Sequence, residues 1–106
     1  MKITLDPILG AALQTEEPEV DRFLELFSEI NPAAVFPTEF KNAIVGFVER
    51  PGQSTVLLLD RDECIEIFMR EQGANYMEAV EWVKDTMTAY LGENAPFYAT
   101  FISRML

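Results

Sequence analysis

A cluster of potential metal ligands lies within residues 60–66. Its acids are Asp60, Asp62, Glu63 and Glu66. Carboxylate oxygens at this density could hold a calcium or magnesium ion, but the stretch lacks the glycine and the regular ligand spacing of an EF-hand loop. Asp60 and Asp62 are also residue types that cap a helix and that its dipole attracts. We therefore expect structural acids here and no metal site.

Nucleophilic catalysis lacks its usual base, because the sequence contains no histidine. A Ser-His-Asp or Cys-His arrangement therefore cannot be assembled. A zinc site would have to rely on carboxylates beside the one cysteine, Cys64. Cys64 falls on the apolar side of a predicted helix, where cysteine usually packs as a small hydrophobic residue. Nothing in the sequence selects two of its acids as an acid–base pair, so we expect no catalytic residue, no cofactor and no enzymatic activity.

Trp82 is a candidate for contact with another protein. It projects from the edge of the apolar stripe of a predicted helix, close to Glu78 and Glu81. An exposed tryptophan is a frequent anchor of protein interfaces. The more common alternative is a tryptophan that covers the flank of its own core. Both interpretations stay open from the sequence.

A second candidate surface is the far face of the first predicted helix. There Asp21, Glu25 and Glu29 follow one another at intervals of four residues. Such a ladder is usually a solvated helix face. If it is functional, it presents spaced negative charges to a basic groove of a partner.

The charge balance narrows the range of partners. The chain has 18 acidic and 8 basic residues and a net charge of −10. This charge disfavours direct binding to nucleic acid and to anionic membranes, and it favours solubility or a basic protein partner. A single cysteine fits a reducing compartment, and the uncharged segments are too short to span a membrane. We expect a cytoplasmic protein.

Hydrophobic spacing predicts the elements that position these residues. A helix is predicted over residues 17–30, after Thr15 as N-cap. Its apolar stripe consists of Val20, Phe23, Leu24, Phe27 and Ile30. Residues 43–49 and 54–59 are predicted strands, joined by a type II turn with Pro51 and Gly52 at its centre.

Two further helices follow the predicted hairpin. The first should begin at Asp60 or Asp62, end before Gly73 and pair Glu66 with Arg70 on its exposed side. Its predicted buried residues are Cys64, Ile65, Phe68 and Met69. The second should cover residues 76–91, after Asn75 as N-cap. Its predicted inner stripe is Tyr76, Val80, Val83, Met87, Tyr90 and Leu91.

The last predicted element is a strand over residues 96–103, where side chains alternate with period two. The elements from residue 43 onward have the order ββααβ. We therefore expect an α+β fold, in which a small antiparallel sheet, made of the hairpin and the C-terminal strand, packs with about three helices. The length of 106 residues fits one domain, with residues 1–42 as an N-terminal helical segment and residues 43–106 as the core.

A longer pattern runs through the core. It consists of a hairpin that ends in an aspartate, a helix, the motif Y-x-E-A-x-E-aromatic, and a final run from an Ala-Tyr pair to a Pro-Phe pair. Its residues are Asp60, Tyr76, Glu78, Ala79, Glu81, Trp82, Ala89, Tyr90, Gly92, Glu93, Pro96 and Phe97. Over residues 43–102 the chain resembles a group of small acidic proteins carried by phages and prophages. The resemblance implies a mobile-element protein that acts in the bacterial cytoplasm, a context in which inhibitors of host defence are common.

The leading hypothesis is a non-enzymatic protein-binding module that inhibits a host nucleic-acid-binding or defence protein. Its expected partner-binding residues are Asp21, Glu25, Glu29, Glu78, Glu81 and Trp82. The alternative is a self-associating structural protein, for example a homodimer, that pairs through the edge of its final strand. A third hypothesis, an enzyme that uses carboxylates, requires acids clustered in a pocket.

Overall fold

The computed structural model describes residues 16–106, so the predicted cap Thr15 lies outside the described residues. The fold is α+β, as predicted. The described residues form four α-helices, one 3-10 helix and three β-strands. In chain order they are α1 (Glu16–Phe27), the 3-10 helix (Thr38–Ala43), β1 (Ile44–Val48), β2 (Val56–Asp60), α2 (Arg61–Gln72), α3 (Tyr76–Ala89), β3 (Phe97–Ala99) and α4 (Ile102–Met105).

The β1–β2 hairpin closes through the predicted turn. The backbone N–H of Gln53 donates to the carbonyl of Arg50 over 2.9 Å, and Gly52 has a φ of 76°. A positive φ at the third residue of a turn is the type II geometry, which glycine adopts without steric cost. The two strands then pair antiparallel, starting from Val48 opposite Val56.

The sheet is mixed, which corrects the prediction of an antiparallel one. β2 is the central strand, and β3 pairs with it in parallel. β3 runs parallel to β2 because of where the segment just before β3 is anchored. Glu93 lies beside the start of β2, because Ser54 Oγ donates to its carboxylate over 2.7 Å and Arg50 Nη2 donates to its carbonyl over 2.8 Å. The chain therefore enters β3 from the end at which β2 starts.

The strand predicted over residues 96–103 is wrong beyond Ala99. β3 has 3 residues, and the chain then turns into the short helix α4. Phe101 and Ile102 fit an alternating pattern, but both are exposed, so no core supports an extended strand there. Instead, α4 places Nη2 of Arg104 at 3.0 Å from Oδ2 of Asp60.

The core covers the face of the sheet that carries Leu57 and Leu59. The strand register pairs Leu57 with Phe47, and Leu59 with both Ile44 and Tyr98, so these side chains share a face. The helices add buried side chains to the same cluster. These are Phe27, Phe40, Ala43, Cys64, Ile65, Ile67, Ala79 and Val83.

The first helix docks on β1 through aromatic rings. The ring centroids of Phe23 and Phe27 lie 6.3 Å and 5.7 Å from that of Phe47, and Phe27 is buried. α1 ends at Phe27 rather than at the predicted residue 30, because the following residues form tight turns such as Ile30 N–H to Phe27 carbonyl, 2.8 Å. Ile30, predicted on the apolar stripe, is consequently exposed.

The caps of α2 and α3 confirm the predicted helix starts. Oδ1 of Asp60 accepts the backbone N–H groups of Asp62 and Glu63 at 3.0 Å and 3.3 Å. Gly73 ends α2 in the left-handed region, with a φ of 67°. Asn75 caps α3, as predicted.

The predicted apolar stripes of α2 and α3 are correct only in part. In α2, Cys64 and Ile65 are buried as predicted, Phe68 and Met69 are partly buried, and Ile67 is buried although it was not predicted to be. α3 ends at Ala89, earlier than predicted. The face of α3 that contacts the core is turned relative to the predicted apolar stripe. It is formed by Val83 together with the small residues Ala79 and Thr86, which are buried beside it. The predicted core residues that are instead exposed are Tyr76 and Leu91.

Replacing Asp60 separates its two structural roles. Asp60→Ala should lower the free energy of unfolding by about 1–2 kcal/mol through the lost helix cap, with a further loss because Arg104 is left without its buried partner. Asp60→Asn should be milder, because asparagine caps helices equally well while it removes the ion pair. Urea unfolding of the three proteins measures the difference. Equal stabilities of wild type and Asp60→Ala would contradict this account.

Candidate functional site

Trp82 and Phe68 form a stacked pair that joins α3 to α2. Their ring centroids are 5.1 Å apart and their planes differ by 15°. Phe68 is half-buried, but Trp82 keeps 46% of its surface exposed. Trp82 therefore covers the flank of its own core while much of its side chain remains accessible, and its contact with a partner stays a prediction.

The Trp82 groove is the open depression beside this pair, between the end of α2 and the segment of α3 that runs from Met77 to Asp85. Its volume is about 630 Å³. The side chains that define it are Phe68, Met77, Glu78, Glu81, Trp82 and Asp85. Met77 adds apolar surface, because 71% of it is exposed. A smaller hollow of about 360 Å³ shares Phe68 and Trp82 and adds Glu39 and Glu71.

All the charged side chains that line these two depressions within residues 16–106 are acidic. Glu78, Glu81 and Asp85 occur at positions i, i+3 and i+7 of α3 and so form one stripe along the helix. In the described part of the chain, neither Glu81 nor Asp85 forms an ion pair. The result is an exposed aromatic surface bordered by carboxylates that the described residues do not neutralise.

Glu78 also has a structural role. Its Oε1 accepts the backbone N–H of Asn75 at 3.0 Å, while Oδ1 of Asn75 accepts the backbone N–H of Glu78 at 2.9 Å. This reciprocal capping box fixes the start of α3. It therefore also fixes where the acidic stripe begins relative to Trp82.

The acids of the first helix do not join this surface. Asp21 lies 2.9 Å from Nζ of Lys41, and Glu29 follows the end of α1, so the predicted ladder is not continuous on one helix. Glu25 is exposed. None of the three lines the Trp82 groove. The structure thus brings together Glu78, Glu81 and Trp82 from the six predicted contact residues and leaves the other three elsewhere.

The acids within residues 60–66 surround the guanidinium of Arg104. It lies 3.0 Å from Asp60, 3.3 Å from Glu63 and 2.7 Å from Glu66. The hydrogen bond to Asp60 contributes most to raising the pKa of Arg104 above its usual range. The predicted pair of Glu66 with Arg70 is therefore wrong, because Glu66 pairs with Arg104 instead. Within residues 16–106, no group of three or more acidic or cysteine side chains is arranged to hold a metal ion.

Arg104, the residue that organises these acids, was not among the predicted site residues. It lies 38 residues beyond Glu66 and 44 beyond Asp60, so local spacing gives no signal of the contact. The signal that could have found it is compositional. A dense acidic group favours a cation nearby, and the basic residues of this chain are few.

Cys64 and Tyr98 both have raised pKa values where they pack in or against the core. Burial, and then the negative charges of Asp60 and Glu63, raise the pKa of the Cys64 thiol to about 12. Burial also raises the pKa of Tyr98, whose hydroxyl is enclosed without a hydrogen-bond partner among the described residues. Both groups therefore stay protonated at neutral pH, and a protonated, buried thiol is a poor nucleophile.

Comparison of the chain with protein-family models, with curated proteins and with solved structures finds no match. Within residues 16–106, no helix has both the length and the apolar character needed to cross a membrane.

The Cys64 pKa predicts a loss of stability in alkali. The unfolded thiol ionises near pH 9 and the folded one near 12, so between these values the unfolded chain releases a proton that the folded chain keeps. The free energy of unfolding should therefore fall as pH rises through this window, with Cys64 contributing up to about 1.4 kcal/mol per pH unit. Urea unfolding at increasing pH should show a shallower fall for Cys64→Ala. Parallel pH profiles for the two proteins would contradict the assignment.

Proposed function

We propose that this chain is a non-enzymatic protein-binding module whose contact surface is the Trp82 groove. The observation that supports this function best is the half-exposed Trp82 ring, bordered by Glu78, Glu81 and Asp85. Tryptophan is enriched among the residues that dominate binding energy at interfaces. Unneutralised carboxylates around it favour a basic partner and repel an acidic one.

The stacking on Phe68 makes Trp82 suitable as an anchor. A side chain that is already held in place loses less conformational entropy when a partner binds. The ring pair spans two helices that both contribute to the core, through Ile65 and Ile67 of α2 and Val83 of α3. Trp82 is thus presented by a rigid support.

We propose further that the partner is a basic nucleic-acid-binding or defence protein of a bacterial host, and that this chain inhibits it by occupying its basic site. The support is the net charge of −10 together with the resemblance of residues 43–102 to phage-borne acidic proteins. An acidic surface competes with phosphate for the same basic side chains. This proposal places the protein in the cytoplasm, without direct contact to nucleic acid or membrane.

Self-association is the second candidate function, and a specific observation favours it. The C-terminal region exposes apolar side chains in β3 and α4, with Phe97 at 44% exposure, Ile102 at 73% and Met105 at 75%. Exposed apolar residues that are close together often mark an interface. A homodimer that buries them would make the protein a structural component.

Capture from a bacterial lysate tests the proposed contact surface. Immobilised wild-type protein should retain basic nucleic-acid-binding proteins at about 0.15 M salt and release them as the salt rises toward about 1 M, where the screening length falls to about 3 Å. Trp82→Ala should lose these proteins. The triple variant Asp21→Asn, Glu25→Gln and Glu29→Gln should keep them. Partners that bind Trp82→Ala as well as wild type would refute the assignment of the groove.

Sedimentation at increasing protein concentration separates the two candidate functions. The proposed binding module should sediment as a monomer, and the paired substitutions Ile102→Ser and Met105→Ser should leave its mass unchanged. A dimer that these substitutions dissociate would favour the self-associating structural protein. Neither residue is buried, so the variant should fold like wild type, and circular dichroism checks that it does.

A further inference from the structure

The Trp82 groove has the chemistry to select one type of basic side chain. We infer that it binds an arginine of the partner, with the guanidinium stacked on Trp82 and its N–H donors directed to the α3 carboxylates. This inference rests on the proposed function and specifies its ligand. A lysine would satisfy only the charge, because its ammonium is a compact point charge without a planar face.

The aromatic part of the site is ready for a second stacking partner. Phe68 covers Trp82 from one side, with ring centroids 5.1 Å apart. Within residues 16–106, no other ring and no cation stacks on Trp82. A cation over the face of tryptophan is attracted by the negative potential of its π system, and arginine is the cation found there most often.

The carboxylates lie at positions that suit a guanidinium on this ring. Along an α-helix the rise is about 1.5 Å per residue. The Cα atoms of Glu78 and Asp85 therefore lie about 6 Å and 4.5 Å from that of Trp82 along the axis, one toward each end of the helix. Glu81 is adjacent to Trp82 in sequence and lines the same groove. A planar cation over the indole therefore has acceptors near its edges, which matches the fork of donors that arginine presents.

Two arginines of this chain each make one of the two proposed contacts, Arg50 with an aromatic ring and Arg104 with carboxylates. The guanidinium carbon of Arg50 lies 5.2 Å from the centre of the Phe97 ring, while its N–H groups donate to the carbonyls of Ser54 and Glu93. Arg104 is held by three carboxylates. The Trp82 groove offers both an aromatic face and carboxylates, and no basic residue within residues 16–106 lines it.

The test uses Trp82 as its own probe, because it is the chain's one tryptophan. Short poly-arginine and poly-lysine peptides of equal length are titrated into the full-length protein at low salt, and the indole fluorescence is followed. The poly-arginine peptide should change the fluorescence saturably and bind about threefold to fivefold more tightly than poly-lysine, the gain expected for exposed cation–π stacking.

Two triple variants, each of which removes three negative charges, test whether the peptide binds at the Trp82 groove. Glu78→Gln, Glu81→Gln and Asp85→Asn should weaken poly-arginine binding about tenfold, because three exposed charge pairs are lost. Glutamine at position 78 can still serve the capping box, so the helix start is kept. Asp21→Asn, Glu25→Gln and Glu29→Gln should leave the affinity within about twofold, the weak screened effect of charges outside the site.

Three outcomes would overturn the inference: no fluorescence change with poly-arginine, equal affinity for both peptides, or equal weakening by both triple variants. A different experiment, the capture from lysate, decides whether the proposed function fails. If partners captured from lysate still depend on Trp82 while the peptides show one of these outcomes, the groove binds a protein but does not select arginine. If capture does not depend on Trp82, the proposed function itself is wrong.

Discussion

The double role of Asp60 is the constraint on which much of the structure depends. This residue ends the central strand, and one of its carboxylate oxygens caps α2 while the other accepts from Arg104. It is 7% exposed, so its charge is tolerated only because both oxygens are satisfied. The cap sets where α2 starts relative to the sheet, and the ion pair ties the end of the chain to the same point. The direction of α2 in turn places Phe68, on which Trp82 stacks.

Local chemistry made part of this fold predictable from the sequence. The turn at Pro51 and Gly52, the caps Asp60 and Asn75 and the helix end at Gly73 each need a particular residue type at one position, and all are confirmed. The direction of β3 was not predictable in this way, because it depends on Glu93 contacting Ser54, 39 residues away in sequence. Alternation over residues 96–103 was misleading for a related reason. A strand pattern has meaning only if a core covers one side, and Phe101 and Ile102 have no such cover.

The candidate site was predictable only in its individual residues. Sequence spacing identified Trp82 and the nearby glutamates, but it could not show that Phe68 of another helix supports the ring or that Met77 and Asp85 complete the groove. It also gave the acids of α1 equal weight. The structure distinguishes the two sets, because Glu78 and Glu81 line the Trp82 groove whereas Asp21, Glu25 and Glu29 do not.

Hydrogen–deuterium exchange of the protein, alone and with its most abundant salt-sensitive lysate partner, tests the central claim most directly. The account predicts that binding slows exchange in the segment that joins α2 to α3 and in the first turns of α3, while α1 and the C-terminal residues are unchanged. Protection confined to α1, or to the region around β3 and α4, with no change around Trp82, would contradict it.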